Sequence, residues 1–99
     1  MTIRHVVSWK LATTDEEERA QHAAGIKLGL ESLPAVIPQI KFLQVGVNAL
    51  AGDNFDVVLI SDFDDADGLR AYVDHPAHLE VASYIRSVVA GRAAVDYEV

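Results

Sequence analysis

Cysteine is missing from this 99-residue chain, which excludes a disulfide framework, a thiolate nucleophile and any cysteine-based metal centre. Basic charge is scarce: eight Lys and Arg stand against fifteen Asp and Glu, for a net charge of −7. The bases are scattered, so neither a nucleic-acid backbone nor an anionic membrane surface finds the Lys/Arg patch it needs. No apolar run approaches the roughly 20 residues that span a bilayer. Strand-like alternation begins at Ile3 without a signal-peptide pattern, so cytoplasmic residence is the expectation. Low-complexity segments are absent too. With 51% of residues apolar, the composition is that of one ordinary folded domain over residues 1–99.

Ile3 to Leu11 alternates strictly, with Ile3, His5, Val7, Trp9 and Leu11 on one side and Arg4, Val6, Ser8 and Lys10 on the other. This predicts a strand with two unlike faces. Thr14 followed by Glu17 has capping-box spacing and opens a helix to about Leu33, where Pro34 stops it. The stripe Ala23, Ile26, Leu30 and Leu33 faces inward, and Gly25 and Gly29 offer close packing against a sheet. His22 falls on the polar side as a surface residue. Strands follow from Ile40 to Ala49 and from Phe55 to Phe63, separated by the turn signal Ala51-Gly52-Asp53-Asn54. Val57 to Ile60 is apolar on both faces, which puts that strand in the centre of a sheet. Asp64 or Asp65 caps a short helix carrying Leu69, Tyr72 and Val73. Pro76 opens another, with Leu79, Ala82, Ile85 and Val89 on one side and an end near Gly91. Ala93 to Val99 is the last strand.

The order βαββαβ, with the second helix broken at Pro76, implies an α+β protomer. It has one antiparallel sheet with helices on one face, the ferredoxin-like plan. The other face would carry Val6, Phe42, Val58 and Ile60 mixed with Arg4, Ser8, Gln44 and Asp56. A half-apolar surface of that kind marks an interface, and a homodimer packed sheet to sheet is the simplest way to cover it. The acidic runs Asp15-Glu16-Glu17-Glu18 and Asp62, Asp64, Asp65 and Asp67 read as helix N-termini, where carboxylates complement the macrodipole. The second run lacks the glycine and ligand spacing of a calcium loop, so no metal site is expected there.

Chemistry concentrates in Tyr72-Val73-Asp74-His75-Pro76-Ala77-His78, a phenol and two imidazoles within seven residues at a helix junction. His5 adds a third imidazole on the apolar side of the first strand. Tyr and His donate, accept and shuttle protons near neutral pH, so His5, Tyr72 and His78 are the candidate catalytic residues. Trp9, Leu30, Leu69, His75 and Ile85 are candidates to line the substrate site. Each has a plainer alternative: a half-buried aromatic for Tyr72, a satisfied core histidine for His5, a helix-start histidine bonded to a carbonyl for His78, and a cap for His75. The His-x-x-His spacing would need a third ligand to hold a metal, and none is expected.

An opening strand Ile-Arg-His-Val-Val-Ser-Trp-Lys-Leu, the Tyr-x-x-His-Pro-x-His segment and the terminal Ala-Val-Asp-Tyr resemble the Dabb family, the stress-responsive dimeric α+β barrel domains. The resemblance covers essentially the whole chain. It implies a ferredoxin-like protomer whose sheet pairs with a second copy into a barrel, with the helices outside. It also implies a pocket between sheet and helices, used in a plant branch by polyketide cyclases whose histidines and tyrosine transfer protons. His5, Tyr72 and His78 match those positions. Val57 stands where that pocket has a further histidine, and Lys27 where it has a tyrosine. In some relatives a cation sits on backbone carbonyls after the first helix; Leu33 to Ile37 offers no side-chain ligand there, and no cofactor is expected. Asp96 and Tyr97 match the family pattern as sheet and interface residues.

Three functions follow as expectations. The first is a stress-responsive homodimer with a pocket for a small apolar carbonyl or phenolic ligand. The second is an enzyme of the polyketide-cyclase type, with His78 as base, Tyr72 bonding the oxygen that gains charge and His5 completing the relay. The third is a purely structural or protective protein. A filled space around His5 and Tyr72 would favour the third, and a cavity of about 300 Å³ or more one of the first two.

Overall fold

The computed structural model describes residues 1–99. Its elements are β1 (Ile3–Leu11), α1 (Glu16–Glu31), β2 (Phe42–Val47), β3 (Val57–Phe63), α2 (Ala66–Asp74), α3 (Pro76–Val88) and β4 (Val89–Glu98), with a single 3-10 turn at Leu33–Ala35 after α1. The strands form one antiparallel sheet in the order β2-β3-β1-β4. This is the ferredoxin-like arrangement expected from the element order.

Period-two alternation decides what faces the helices. Val7, Trp9 and Leu11 of β1 and Val57, Leu59 and Phe63 of β3 are buried beneath them. Ile26 and Leu30 of α1, Tyr72 of α2, and Ile85 and Val88 of α3 close the core from above. No second layer covers the other face of the sheet within the chain. There Val58 and Ile60 are half-buried, Phe42, Val95 and Tyr97 are exposed, and Arg4 grips Asp62 across β1 and β3 through two hydrogen bonds of 2.8 and 2.9 Å.

Several local expectations are corrected. Asp15, not Thr14, caps α1, accepting from the Glu18 N–H at 2.9 Å; a carboxylate at this position satisfies an orphan donor and meets the dipole. Asp65 caps α2 by accepting from Gly68, whereas Asp62 belongs to β3 and pairs with Arg4, so it is not part of a helix start. Asp56 lies off the open face: it is buried, accepts from the Leu11 N–H at 2.7 Å and pairs with Arg19 of α1. β2 and β3 are shorter than their apolar runs.

Gly25 and Gly29 serve the contact between α1 and α3 and not the sheet. A Cβ on Gly25 would lie 2.5 Å from the Tyr84 hydroxyl, and one on Gly29 would lie 3.1 Å from Val81. α3 does not run on to Gly91. It ends at Val88, and β4 begins at Val89 with no loop between, because Val89 pairs with Leu11 and the Val88 carbonyl accepts from Ala12. Val73 of α2 is exposed, and so is Leu79, which does not share the burial of Ile85 in its stripe. His22 is half-buried, with its Nδ1 buried and unpaired.

Candidate functional site

A cavity of about 580 Å³ opens between the sheet and α3, within the range of small-ligand sites. His5, Tyr72 and His78 all line it, although they come from β1, α2 and α3. Among the expected substrate contacts, Trp9, Leu30 and Ile85 line the cavity walls, while Leu69 and His75 do not. Leu69 packs against the core instead. His75 is the cap between α2 and α3, its Nδ1 accepting from the Ala77 N–H at 3.0 Å.

The polar residues are held from outside the cavity. β1 and β4 run antiparallel with His5 opposite Asp96, and His5 Nδ1 lies 2.5 Å from Asp96 Oδ1. A proton on Nδ1 donated to that carboxylate leaves Nε2 as the free nitrogen. The His78 Nδ1–H donates to the Val73 carbonyl at 2.9 Å, which again leaves Nε2 as the acceptor. The Val73 carbonyl is open to this bond because the Ala77 N–H, which a continuous helix would direct to it, is bonded to His75 Nδ1 instead.

Tyr72 packs near both imidazoles. Its ring centroid is 4.4 Å from that of His78, 6.2 Å from that of His5 and 5.1 Å from that of Phe63. The residue is 0% exposed, yet its hydroxyl has no hydrogen-bond partner in the chain. Buried polar groups are rarely left unpaired, because the lost solvation costs about 1–3 kcal/mol.

Burial pushes the Tyr72 phenol well above its usual range, so it stays protonated and acts as a donor, not as a phenolate base. Burial also lowers the His78 imidazole below its ordinary value, with the neighbouring charges of His5, Arg86 and Arg92 acting in the same direction and the Val73 bond opposing them. With its folded value lowered, His78 stays neutral as the pH falls through 6.5 and protonates only below that point. An NMR pH titration should place the His78 midpoint below 6.5, and a midpoint at or above 6.5 would contradict the desolvated site.

Asp96, read from the sequence as a sheet and interface residue, stands instead on the helix-facing side, in register with His5 and bonded to its Nδ1; only the strand register puts it there. Arg86 and Arg92 also line the cavity and were read only as scattered bases. The two departures from the cyclase pattern lie outside the cavity lining: Val57 is in the core, and Lys27 bonds Glu31 and the Val45 carbonyl. In the segment after α1, the Leu33 carbonyl accepts from both Val36 and Ile37.

The family model for the stress responsive A/B barrel domain, Dabb, matches residues 3–99. A dimeric protein of unknown function with a ferredoxin-like fold from Bacteroides fragilis is 32% identical, covering 99% of this chain and 96% of that one at a TM-score of 0.93. A dimeric ferredoxin-like protein of unknown function from Thermobifida fusca is 33% identical, with coverage of 100% and 92% and a TM-score of 0.84. A hydroxynitrile lyase from Passiflora edulis shares the fold at 16% identity, with coverage of 97% and 91% and a TM-score of 0.77. A comparison with curated proteins finds no match. Matched over nearly its whole length, this chain belongs to the stress responsive A/B barrel domain family.

Proposed function

We propose that this Dabb protein is a homodimer, packed sheet to sheet, whose cavity binds a small, largely apolar carbonyl compound and moves a proton at the carbon next to the carbonyl. The observation that carries this reading is the cavity that His5, Tyr72 and His78 line together, with the Tyr72 hydroxyl buried and without a partner in the chain. A purely protective barrel gives no reason to keep that cost. The dimer reading rests on the apolar outer face of the sheet and on the dimeric state of the two relatives above 30% identity.

In this mechanism His78 Nε2 takes the α-proton. The C–H electron pair becomes the new C=C bond, and the carbonyl π pair moves onto oxygen. Tyr72 donates to that oxygen as its charge grows. His5, oriented by Asp96, orients the substrate or relays the proton back. A positioned base supplies roughly 10²–10⁴ in rate and an aligned donor roughly 10²–10³, enough for an enolisation, isomerisation or easy condensation. With one imidazole fewer than the polyketide cyclases it resembles, this site fits proton transfer better than a committed ring closure.

The test is exchange of α-protons in deuterated buffer, followed by NMR on a panel of small ketones. Exchange well above the buffer rate, abolished in a His78→Ala protein that still folds, is expected. Exchange at the buffer rate for every ketone in a folded dimer would defeat the catalytic reading.

A further inference from the structure

Arginine is distributed unevenly on this acidic chain. Five of the eight bases sit in ion pairs: Arg4 with Asp62, Arg19 with Asp56, Lys27 with Glu31, Lys41 with Asp64 and Arg70 with Asp67. The three left without a carboxylate are Lys10, Arg86 and Arg92, and both arginines line the cavity. No Asp or Glu is among its 14 lining residues. In a molecule of net charge −7, the cavity lining therefore carries two guanidinium forks without a carboxylate partner, while Asp96, just behind the lining, is bonded to His5 at the other end. The C-terminal dipole of α3 accounts for Arg86 alone; it does not account for Arg92, which stands on β4.

From these positions we infer that the cavity selects an anionic ligand, an apolar keto acid whose carboxylate is held by Arg86 and Arg92 while its carbonyl lies against Tyr72. The inference rests on the carbonyl-binding reading above and names its substrate class. Two independent rulers set the spacing. Arg92 pairs with Trp9, four residues along β1 from His5, about 13 Å at the usual strand rise. On α3, Arg86 lies eight residues beyond His78, about 12 Å at the helical rise. Both rulers put the arginines at one end of the cavity and the imidazoles at the other, since α3 runs from the His5 end of β1 to its Leu11 end. Flexible arginine side chains shorten the gap, so a chain of several carbons between carboxylate and ketone spans it. Val7, Leu59, Ile85 and Val89 supply the apolar wall between the two ends. Guanidinium suits this task because it stays charged and meets a carboxylate with two parallel donors. Arg92 lies on the helix-facing side of β4, in register with Trp9, so a dimer built on the other face leaves the cavity mouth open.

The experiment is calorimetric and NMR titration of the full dimer with 7-oxooctanoate, its methyl ester and hexyl phosphate. The titrations are repeated on Arg86→Gln/Arg92→Gln, whose fold is checked by its amide spectrum. The acid should bind at least about tenfold more tightly than the ester. The double variant should lose that advantage without changing ester binding. Added salt should weaken the acid alone on the unaltered protein, a readout that stands even if the variant misfolds. Equal binding of acid and ester, unaffected by the double variant, overturns the anion site and leaves the carbonyl pocket intact. Tighter binding of hexyl phosphate than of the acid, lost in the double variant, overturns the carboxylate assignment in favour of a phosphate. No binding of acid or ester, with no shift at Tyr72, overturns this inference and the carbonyl reading together.

Discussion

Tyr72→Phe is expected to lower α-proton exchange about 10²–10³-fold while leaving the fold as stable as before, or more stable by up to about 1–3 kcal/mol. The two halves come from the same atom. The ring packs on Phe63 and His78, and phenylalanine keeps those contacts. The hydroxyl has no partner in the chain, so removing it relieves a desolvation cost and breaks no internal hydrogen bond. In the proposed mechanism the hydroxyl donates to a ligand oxygen, and the variant loses that donor. Thermal unfolding alongside exchange kinetics reads both halves. A loss of stability with unchanged exchange would mean that the hydroxyl is structural. Placing function at the expense of stability in this way is common where a site must remain unsatisfied until its ligand arrives.

The second large effect concerns the outer face of the sheet. Val95 stands on β4 opposite Val6, pointing away from the helices, and is 62% exposed in the single chain. Val95→Asp therefore leaves the protomer's own core untouched. Across a two-fold interface it would bury an unpaired carboxylate from each copy, and a short side chain cannot reach back to water. An uncompensated buried charge costs about 3–5 kcal/mol, so dimer affinity should fall by at least about a hundredfold. Sedimentation at micromolar concentration should show a dimer for the unaltered protein and a monomer for the variant. A monomeric unaltered protein, or a variant that dimerises as tightly, would contradict sheet-to-sheet pairing.

The sequence made some of this legible and hid the rest for physical reasons. β1 was legible because nine residues alternate without a break, and period two has one structural meaning. That alternation also put His5 on the cavity side. Tyr72 and His78 were legible as a pair because Pro76 forces a helix break between them. The end of α3 was not legible: Leu79, Ala82, Ile85 and Val89 suit a helical stripe, and only pairing with Leu11 makes Val89 a strand residue. Leu69 and His75 are close to Tyr72 in sequence, but one faces the core and the other caps a helix. Asp96 and the two arginines were hidden for a different reason. Their roles depend on which strand lies beside which and how far along, and residue types do not carry that information. Asp56 was misplaced because alternation was extended past the true start of β3.

The proposed chemistry requires that His5, Tyr72 and His78 face one ligand in one cavity. The measurement that tests it most directly is a titration of the protein with small ketones and phenols, following the imidazole nitrogens and the Tyr72 ring by NMR. Shifts at His5, Tyr72 and His78 should saturate together with one dissociation constant, while His22 stays unmoved. Shifts that saturate at different concentrations, or none across the panel in a well-ordered protein, would show that the three residues do not form a site.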